Sequence, residues 1–512
     1  MSPQQKRRPA RAIATAIRVG IPLILLLGTA RCGKSAGPAG QTGEVVIRLG
    51  VSSGQAAAAN PLSGLIPIVQ NLSIESLARV GDDGRPQPQL AGSWTIAPDG
   101  LSAIVRLRAG VRFSDGSLLV AGPVADLLNS TLKDTMGPAF EDVEKIVALD
   151  DTQISIHYRR PSPFLLESLE VAVTKPGSPD IGTGPFVLAG ASAPNELLAN
   201  DAYYLGRPKI DRIVVNSYPT VRAAWADMLR DRLDMLYEVG VDALDSMRTA
   251  TNVSVYTFTR RYQYEVIFNT AAPPLKSPRV RSALNMAIDR DALIRDALNG
   301  QAVASFGLVW PQHWSLAPGL ATFRYDPQAA AAALSPARGA EAGHASKRLR
   351  FTCLVPPDYE RLALAIKQQL EAVGVEMVLQ QETPDGIFEA YASGNFEAVL
   401  GDVISGQSLF RPYQWWHTAG SLNPGHLGSA ALDAALDRVR HASSDDEYRA
   451  AVAALQQTIV DDPPAIFLAW SERARAVSSR FEVPATEPGR DILATLPFWT
   501  LRAGERQASS RH

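Results

Sequence analysis

Residues 264–300, YEVIFNTAAPPLKSPRVRSALNMAIDRDALIRDALNG, restrict the folds open to this chain more than any other stretch. Val266, Ile267 and Phe268 are β-branched or aromatic and form a strand, which Asn269 and the Pro273–Pro274 pair stop. Ser277 before Pro278 predicts a helix start, with the serine capping free N–H groups and the proline at the first helical position. Val280, Leu284 and Ile288 recur every four residues as one apolar stripe. Asp291 sits in the first turn of a second helix, which carries Leu293, Ile294, Ala297 and Leu298 inward and ends at Asn299–Gly300. A strand therefore leaves one packed unit here and two helices open the next.

A chain of 512 residues exceeds one ordinary core, so two or three domains are expected. Hydrophobic content of 46% and charged content of 20% describe an ordinary soluble globular protein. The formal net charge of −2 gives no electrostatic basis for binding nucleic acid. Two cysteines, Cys32 and Cys353, exclude a disulfide scaffold and a four-cysteine zinc site.

The first twenty residues carry Lys6, Arg7, Arg8, Arg11 and Arg18 and no acid, followed by a short apolar run at 21–27 and then Gly28, Thr29 and Ala30. Basic, apolar, small is the order of a secretory signal, and the apolar run is too short to span a bilayer. Two outcomes remain open: lipidation of Cys32, which sits where a bacterial lipoprotein has its acylated cysteine, or cleavage near Ala30. Residues 33–43 are rich in Gly, Ala and Ser and suit a tether. The stretch GTARCGKS at 28–35 matches the phosphate-loop pattern, but Gly37, Pro38, Gly40 and Gly43 leave no helix to follow it.

Further along, Asp82–Asp83–Gly84 and Pro98–Asp99–Gly100 mark turns, and Ile154, Ile156 and Tyr158 alternate on one strand face. In LVAGPVADLL, Gly122 and Pro123 predict a helix starting only at Val124. Residues 350–355, 361–373 and 375–379 read as strand, helix, strand, which implies parallel pairing. Ser444–Glu447 is a capping box ahead of Tyr448, Val452, Leu455 and Ile459.

Four runs carry a family resemblance: ESLARVGDDGRPQPQLAGSWTIAPDG with RLRAGVRFSDGS, then NDAYYLGRPKIDRIVV, the 264–300 stretch, and DDPPAIFLAW. Together they resemble the family 5 extracellular solute-binding proteins, receptors of peptide- and nickel-type ABC importers. The resemblance implies a two-lobed, periplasmic-binding-protein-like α/β fold with an extra subdomain inserted in the first lobe. Lobe I is expected from 44–78, 181–265 and 479–503, the inserted subdomain from 79–180, lobe II from 266–478, and a tail from 504–512. It further implies a solute held between the lobes, delivery to a membrane permease, location in the periplasm or cell envelope, and no cofactor.

Residues 398–426, AVLGDVISGQSLFRPYQWWHTAGSLNPGH, place Phe410, Tyr413, Trp415 and Trp416 beside Arg411 in a polar, glycine-rich setting that suits a pocket wall. Trp310, His313 and Trp314 form a second aromatic group. Peptide-binding members resemble one another in an Asp-Tyr-Pro-Asp-Pro run here. That run is absent from this chain, and Asp402 is the nearest acid. The expected ligand-binding residues are Trp415, Trp416, Arg411, Asp402, Trp310 and Trp314. Ser52 and Ser53 join them at the carboxyl edge of the first strand. The expected solute is a neutral or mildly polar small organic or peptide-like molecule held largely by aromatic walls rather than by a carboxylate–ammonium pair. No catalytic motif or metal-ligand spacing occurs. A secreted two-lobed hydrolase is the alternative reading, and a phosphate-loop nucleotide-binding protein a remote third.

Overall fold

The computed structural model describes residues 43–52, 65–190, 192–240, 243–338, 348–423, 425, 427–486, 490–503 and 505. The basic leader, Cys32, Ser53 and His426 lie outside these residues.

The organising element is one eleven-stranded sheet. In chain order its strands, and those of the smaller sheet inserted after the first, are β1 (Val46–Ser52), β2 (Ala91–Ile96), β3 (Ser102–Leu107), β4 (Val143–Ala148), β5 (Gln153–Tyr158), β6 (Phe186–Leu188), β7 (Glu196–Ala199), β8 (Arg212–Tyr218), β9 (Met235–Val239), β10 (Val253–Phe268), β11 (Ala302–Ala304), β12 (Leu349–Val355), β13 (Val375–Gln381), β14 (Ala398–Ile404) and β15 (Ala465–Ser478). The large sheet runs β6-β7-β8-β1-β9-β15-β10-β14-β12-β13, with β11 on β15. β1 pairs parallel with β8 and β9, and β12 pairs parallel with β13 and β14, as strand–helix–strand units dictate. Between these two parallel halves lie β10 and β15, long and antiparallel, in register from Val253↔Ser478 to Ile267↔Ala465. Their pairing is interrupted between Thr259 and Gln263 and again between Tyr264 and Glu265. A bulge bends the strands locally, so the two halves of the sheet form two lobes joined by this ribbon.

The helices that matter for the site are α1 (Ala121–Met136), α2 (Phe164–Ser168), α3 (Pro278–Met286), α4 (Arg290–Ala297), α5 (Pro327–Arg338), α6 (Glu360–Ala372), α7 (Pro384–Ser393), α8 (Phe410–Trp416), α9 (Ala430–Arg440) and α10 (Asp445–Asp461). On one face of the second lobe's sheet, α3 to α6 bury Val280, Leu284, Leu293, Leu334, Ile366 and Leu370 against Tyr264, Val266 and Phe268. The other face, with Ile267, Val399, Val403 and Phe467, is covered by residues of α7 to α10. That apolar cluster continues into the inserted four-stranded sheet β2-β3-β5-β4 and its helices, including Leu128, Ile154, Ile156 and Phe164. The first lobe has its own core of Ile47, Leu49, Val215, Met235, Leu496 and Trp499.

Two local expectations change, and one glycine pair finds its reason. α1 begins at Ala121 and takes Gly122 and Pro123 into its first turn. Proline costs little there, because a first-turn N–H has no intrahelical acceptor to lose. Ser277 makes no capping bond; Pro278 alone starts α3, whereas Asp289 caps α4 by accepting from the Ala292 N–H at 2.9 Å. In IGTGPF a Cβ on Gly182 would lie 2.1 Å from the Ser73 carbonyl oxygen and one on Gly184 2.6 Å from that of Leu72, so these glycines admit the close approach of a neighbouring backbone.

Candidate functional site

Strand alternation sorts the second lobe's residues by face. Antiparallel register sets Glu265 opposite Gly401, Gln263 opposite Val403 and Ile267 opposite Val399 on β14. On its other side β10 sets Glu265 opposite Phe467 and Gln263 opposite Trp470. All of these share the face covered by α7 to α10. Tyr264 and Asp402 pair on the opposite face.

On the covered face two polar side chains are fully enclosed. Gln263 donates to the Ser305 hydroxyl and, at 2.8 Å, to the Gly307 carbonyl, leaving its Oε1 without a partner. Glu265 is entirely buried and neither carboxylate oxygen has a hydrogen-bond partner among the described residues. Burial alone raises its pKa well above the ordinary glutamate value. Beside it, Gly401 keeps partial accessibility in mid-sheet, and a Cβ built there would meet no heavy atom within 4 Å. Space therefore stands over the sheet next to a carboxyl group.

Aromatic rings pack on the same side of the sheet. Trp416 is 2% exposed, with its ring centroid 6.0 Å from that of Phe467. Tyr391 of α7 feels the Glu265 charge, after burial the second cause that raises its pKa. The Trp415 ring lies 6.4 Å from Tyr391. Farther along, the Trp310 and Trp470 centroids are 4.8 Å apart. The indole N–H groups of Trp415, Trp416 and Trp470 are buried without acceptors. Orphaned donors and acceptors on one sheet face are rare in packed cores and point to a missing partner.

The other expected residues lie elsewhere. Asp402 faces away, 3.5 Å from Arg260 and close to Tyr359. Arg411 bonds Gln414 at 3.0 Å, and burial lowers its pKa against the opposing charge of Glu170 in the inserted subdomain. Trp310 donates through its Nε1 to the Asp82 carbonyl at 2.9 Å, and Trp314 packs between Tyr448 and the Arg85 guanidinium. Ser52 ends β1 in register with Tyr218 of β8. Thus Trp415 and Trp416 come together, Trp310 extends that row through Trp470, and Asp402, Arg411, Trp314 and Ser52 do not join it.

The inserted subdomain closes over the second lobe through polar contacts. Glu167 of α2 accepts from the Phe410 N–H at 3.1 Å and from the Tyr448 hydroxyl at 3.3 Å, and burial raises its pKa to about 8. Arg440 donates to the buried Asp142 at 2.6 Å, and Gln407 to Asp82 at 3.1 Å. Glu265, Gln263 and Gly401 went unnoticed in the sequence. Their signal was an acid and an amide at alternate positions of an otherwise apolar strand.

Among the described residues no group of three or more potential metal ligands occurs, and no helix is long and apolar enough to cross a membrane. The family model for bacterial extracellular solute-binding proteins, family 5 (middle region), matches residues 85–423. The oligopeptide-binding protein AppA of Bacillus subtilis (strain 168) is 23% identical over 515 residues, 91% of this chain and 93% of the relative. Heme-binding protein A of Haemophilus influenzae is 26% identical over 292 residues, 49% of this chain; that match spans about half of the relative, 53%. Among solved structures, NikZ from Campylobacter jejuni in complex with Ni(L-His) superposes with a TM-score of 0.73 at 20% identity, covering 89% of this chain and 99% of that one, a likeness of fold.

Proposed function

The chain belongs to the bacterial extracellular solute-binding proteins, family 5, and from that premise we propose that it is the exported receptor of an ABC importer. It captures a small organic or peptide-like solute between its lobes and delivers it to a membrane permease. The observation that carries this reading is the set of orphaned polar atoms on one enclosed sheet face: the Glu265 carboxyl oxygens, Gln263 Oε1 and the Trp415, Trp416 and Trp470 indole N–H groups. A bound solute supplies the partners they lack, and binding rather than bond cleavage is their use. Trp415, Trp416 and Trp310 stay in the proposed site. Arg411 and Trp314 act at the contact between subdomain and second lobe, and Asp402 on the far face of the sheet.

Closure follows from the ribbon. β10 and β15 cross both lobes and their pairing is broken at Arg260–Tyr262, so a change of backbone angle there moves one lobe against the other. Contacts such as Glu167 with Phe410 then form or break as a set. Residues 1 to about 30 are proposed to direct export, and 33–43 to tether the mature protein to a lipid on Cys32, with cleavage near Ala30 and a free protein as the alternative. Mass spectrometry of the protein from its native cells reads both processing events, and an intact Met1 would contradict export.

The functional test is a thermal-shift screen of peptides, sugars, amines, opines and metal chelates, because a solute that binds only the folded state raises its apparent stability. At least one class is expected to raise the melting temperature, without being chemically altered on incubation. Turnover of a bound compound would favour the hydrolase instead.

A further inference from the structure

We infer that the solute presents a cationic nitrogen, an ammonium or guanidinium group, to the carboxyl group of Glu265 across the open space beside Gly401. This rests on the receptor reading above and names the chemistry of its ligand.

Glu265 has no structural task among the described residues. Its neighbours on the same face are Ile267, Val399, Val403 and Phe467, where a leucine would pack without leaving two oxygens unpaired. An enclosed polar group without a partner costs on the order of 1–3 kcal/mol, and more once charged. Among the described residues the Glu265 carboxyl group takes part in no hydrogen bond or ion pair. A bound solute can supply the partner that these oxygens lack.

The surroundings suit such a charge. The residue opposite Glu265 is a glycine, so the room is on the carboxyl group's own side of the sheet. Phe467 is its register partner and Tyr391 feels its charge, with Trp416 packed against Phe467 and Trp415 against Tyr391, and aromatic rings attract a desolvated cation. The unpartnered Trp415 and Trp416 N–H groups can serve a carbonyl or carboxylate elsewhere on the same molecule. A neutral solute, the expectation from sequence alone, leaves the carboxyl group unmet.

Proton balance follows. Tyr391 on α7 is the titratable side chain that senses Glu265; β14 contributes Val399, Gly401 and Val403, β15 contributes Phe467, and α8 contributes Trp415 and Trp416, none of which titrates. In the empty site burial raises the Glu265 pKa well above the ordinary glutamate value and so favours its protonated form. On binding, its O–H bond breaks, the proton leaves to solvent, and the carboxylate pairs with the incoming cation. Binding therefore tightens as pH rises, by up to about tenfold per pH unit.

The test uses matched probes: 1,5-diaminopentane against 1,5-pentanediol, 2-phenylethylamine against 2-phenylethanol, and glycyl-lysine against its diacetylated form. The cationic member of at least one pair is expected to bind at least about tenfold tighter than its partner. Calorimetry in buffers of different ionisation enthalpy should read net proton release when the cationic probe binds. Glu265→Gln should lose that preference and the proton release, while its solute-free melting temperature holds or rises. Equal binding of cationic and neutral partners, or undiminished cation binding by Glu265→Gln, overturns the inference and leaves the receptor reading standing. If Glu265→Gln does not fold, the proton count on the unaltered protein decides. No binding by any probe, peptide, sugar, opine or chelate overturns both.

Discussion

Glu265 and Gly401 face each other across neighbouring strands of one sheet, the first fully buried with two unpaired oxygens, the second with open space where a side chain would stand. Facing residues in a core normally fill each other's space, so this pair marks a place kept for something else.

Trp416 is a core residue as well as a wall of that place. Truncating a buried tryptophan costs about 3–5 kcal/mol. Trp416→Ala should therefore lower the melting temperature of the solute-free protein clearly, while Trp416→Phe keeps most of the ring contact with Phe467. Calorimetric scans of both variants check this. An unchanged melting temperature for Trp416→Ala would mean the ring is free to move away from Phe467.

Asp402 gives the opposite expectation. It pairs with Tyr264 on the far face, near Arg260 and Tyr359. Asp402→Asn should leave solute affinity within about twofold and change stability by at most about 1 kcal/mol, the scale of a partly exposed ion pair. An affinity loss of tenfold or more would place the solute on that face instead.

Glu167 links stability to pH. Burial raises its folded pKa to about 8, above the ordinary glutamate value of 4.5. The folded state therefore binds the proton more tightly than the unfolded chain. This contribution is fully present below about pH 4.5 and is lost as pH rises to about 8, at no more than about 1.4 kcal/mol per pH unit. Glu167→Gln keeps an acceptor for the Phe410 N–H and does not titrate, so its urea midpoint should fall less than that of the unaltered protein between pH 5 and 8. Parallel pH profiles would contradict the assignment.

Much of the fold was legible because it rests on local pattern. The strand before Asn269, the stripe Val280–Leu284–Ile288, the serine cap at Ser444 and the parallel unit around α6 are all periodicity and punctuation. The site was less legible. Trp415 and Trp416 stood out by type, but adjacent residues cannot show which ring a core will take. Asp402 and Gly401 are also neighbours, and only the register with Tyr264 and Glu265 sends them to opposite faces. Glu265 drew no attention because its lack of a partner is a property of packing across three strands. Gly84 shows the same limit: its turn was plain, but not that a Cβ there, at φ +82, would lie 2.4 Å from the His313 ring.

The most direct test fills the space itself. Gly401 has no positive φ and a Cβ meets nothing, so Gly401→Val should fold normally and gain strand propensity. The measurement is calorimetric affinity for the tightest-binding solute of the screen, with the melting temperature recorded on the same samples. The expected result is affinity lowered at least about tenfold with the solute-free melting temperature unchanged or raised. A Gly401→Val protein that is equally stable and binds that solute as tightly as the unaltered chain would show that the solute sits somewhere else.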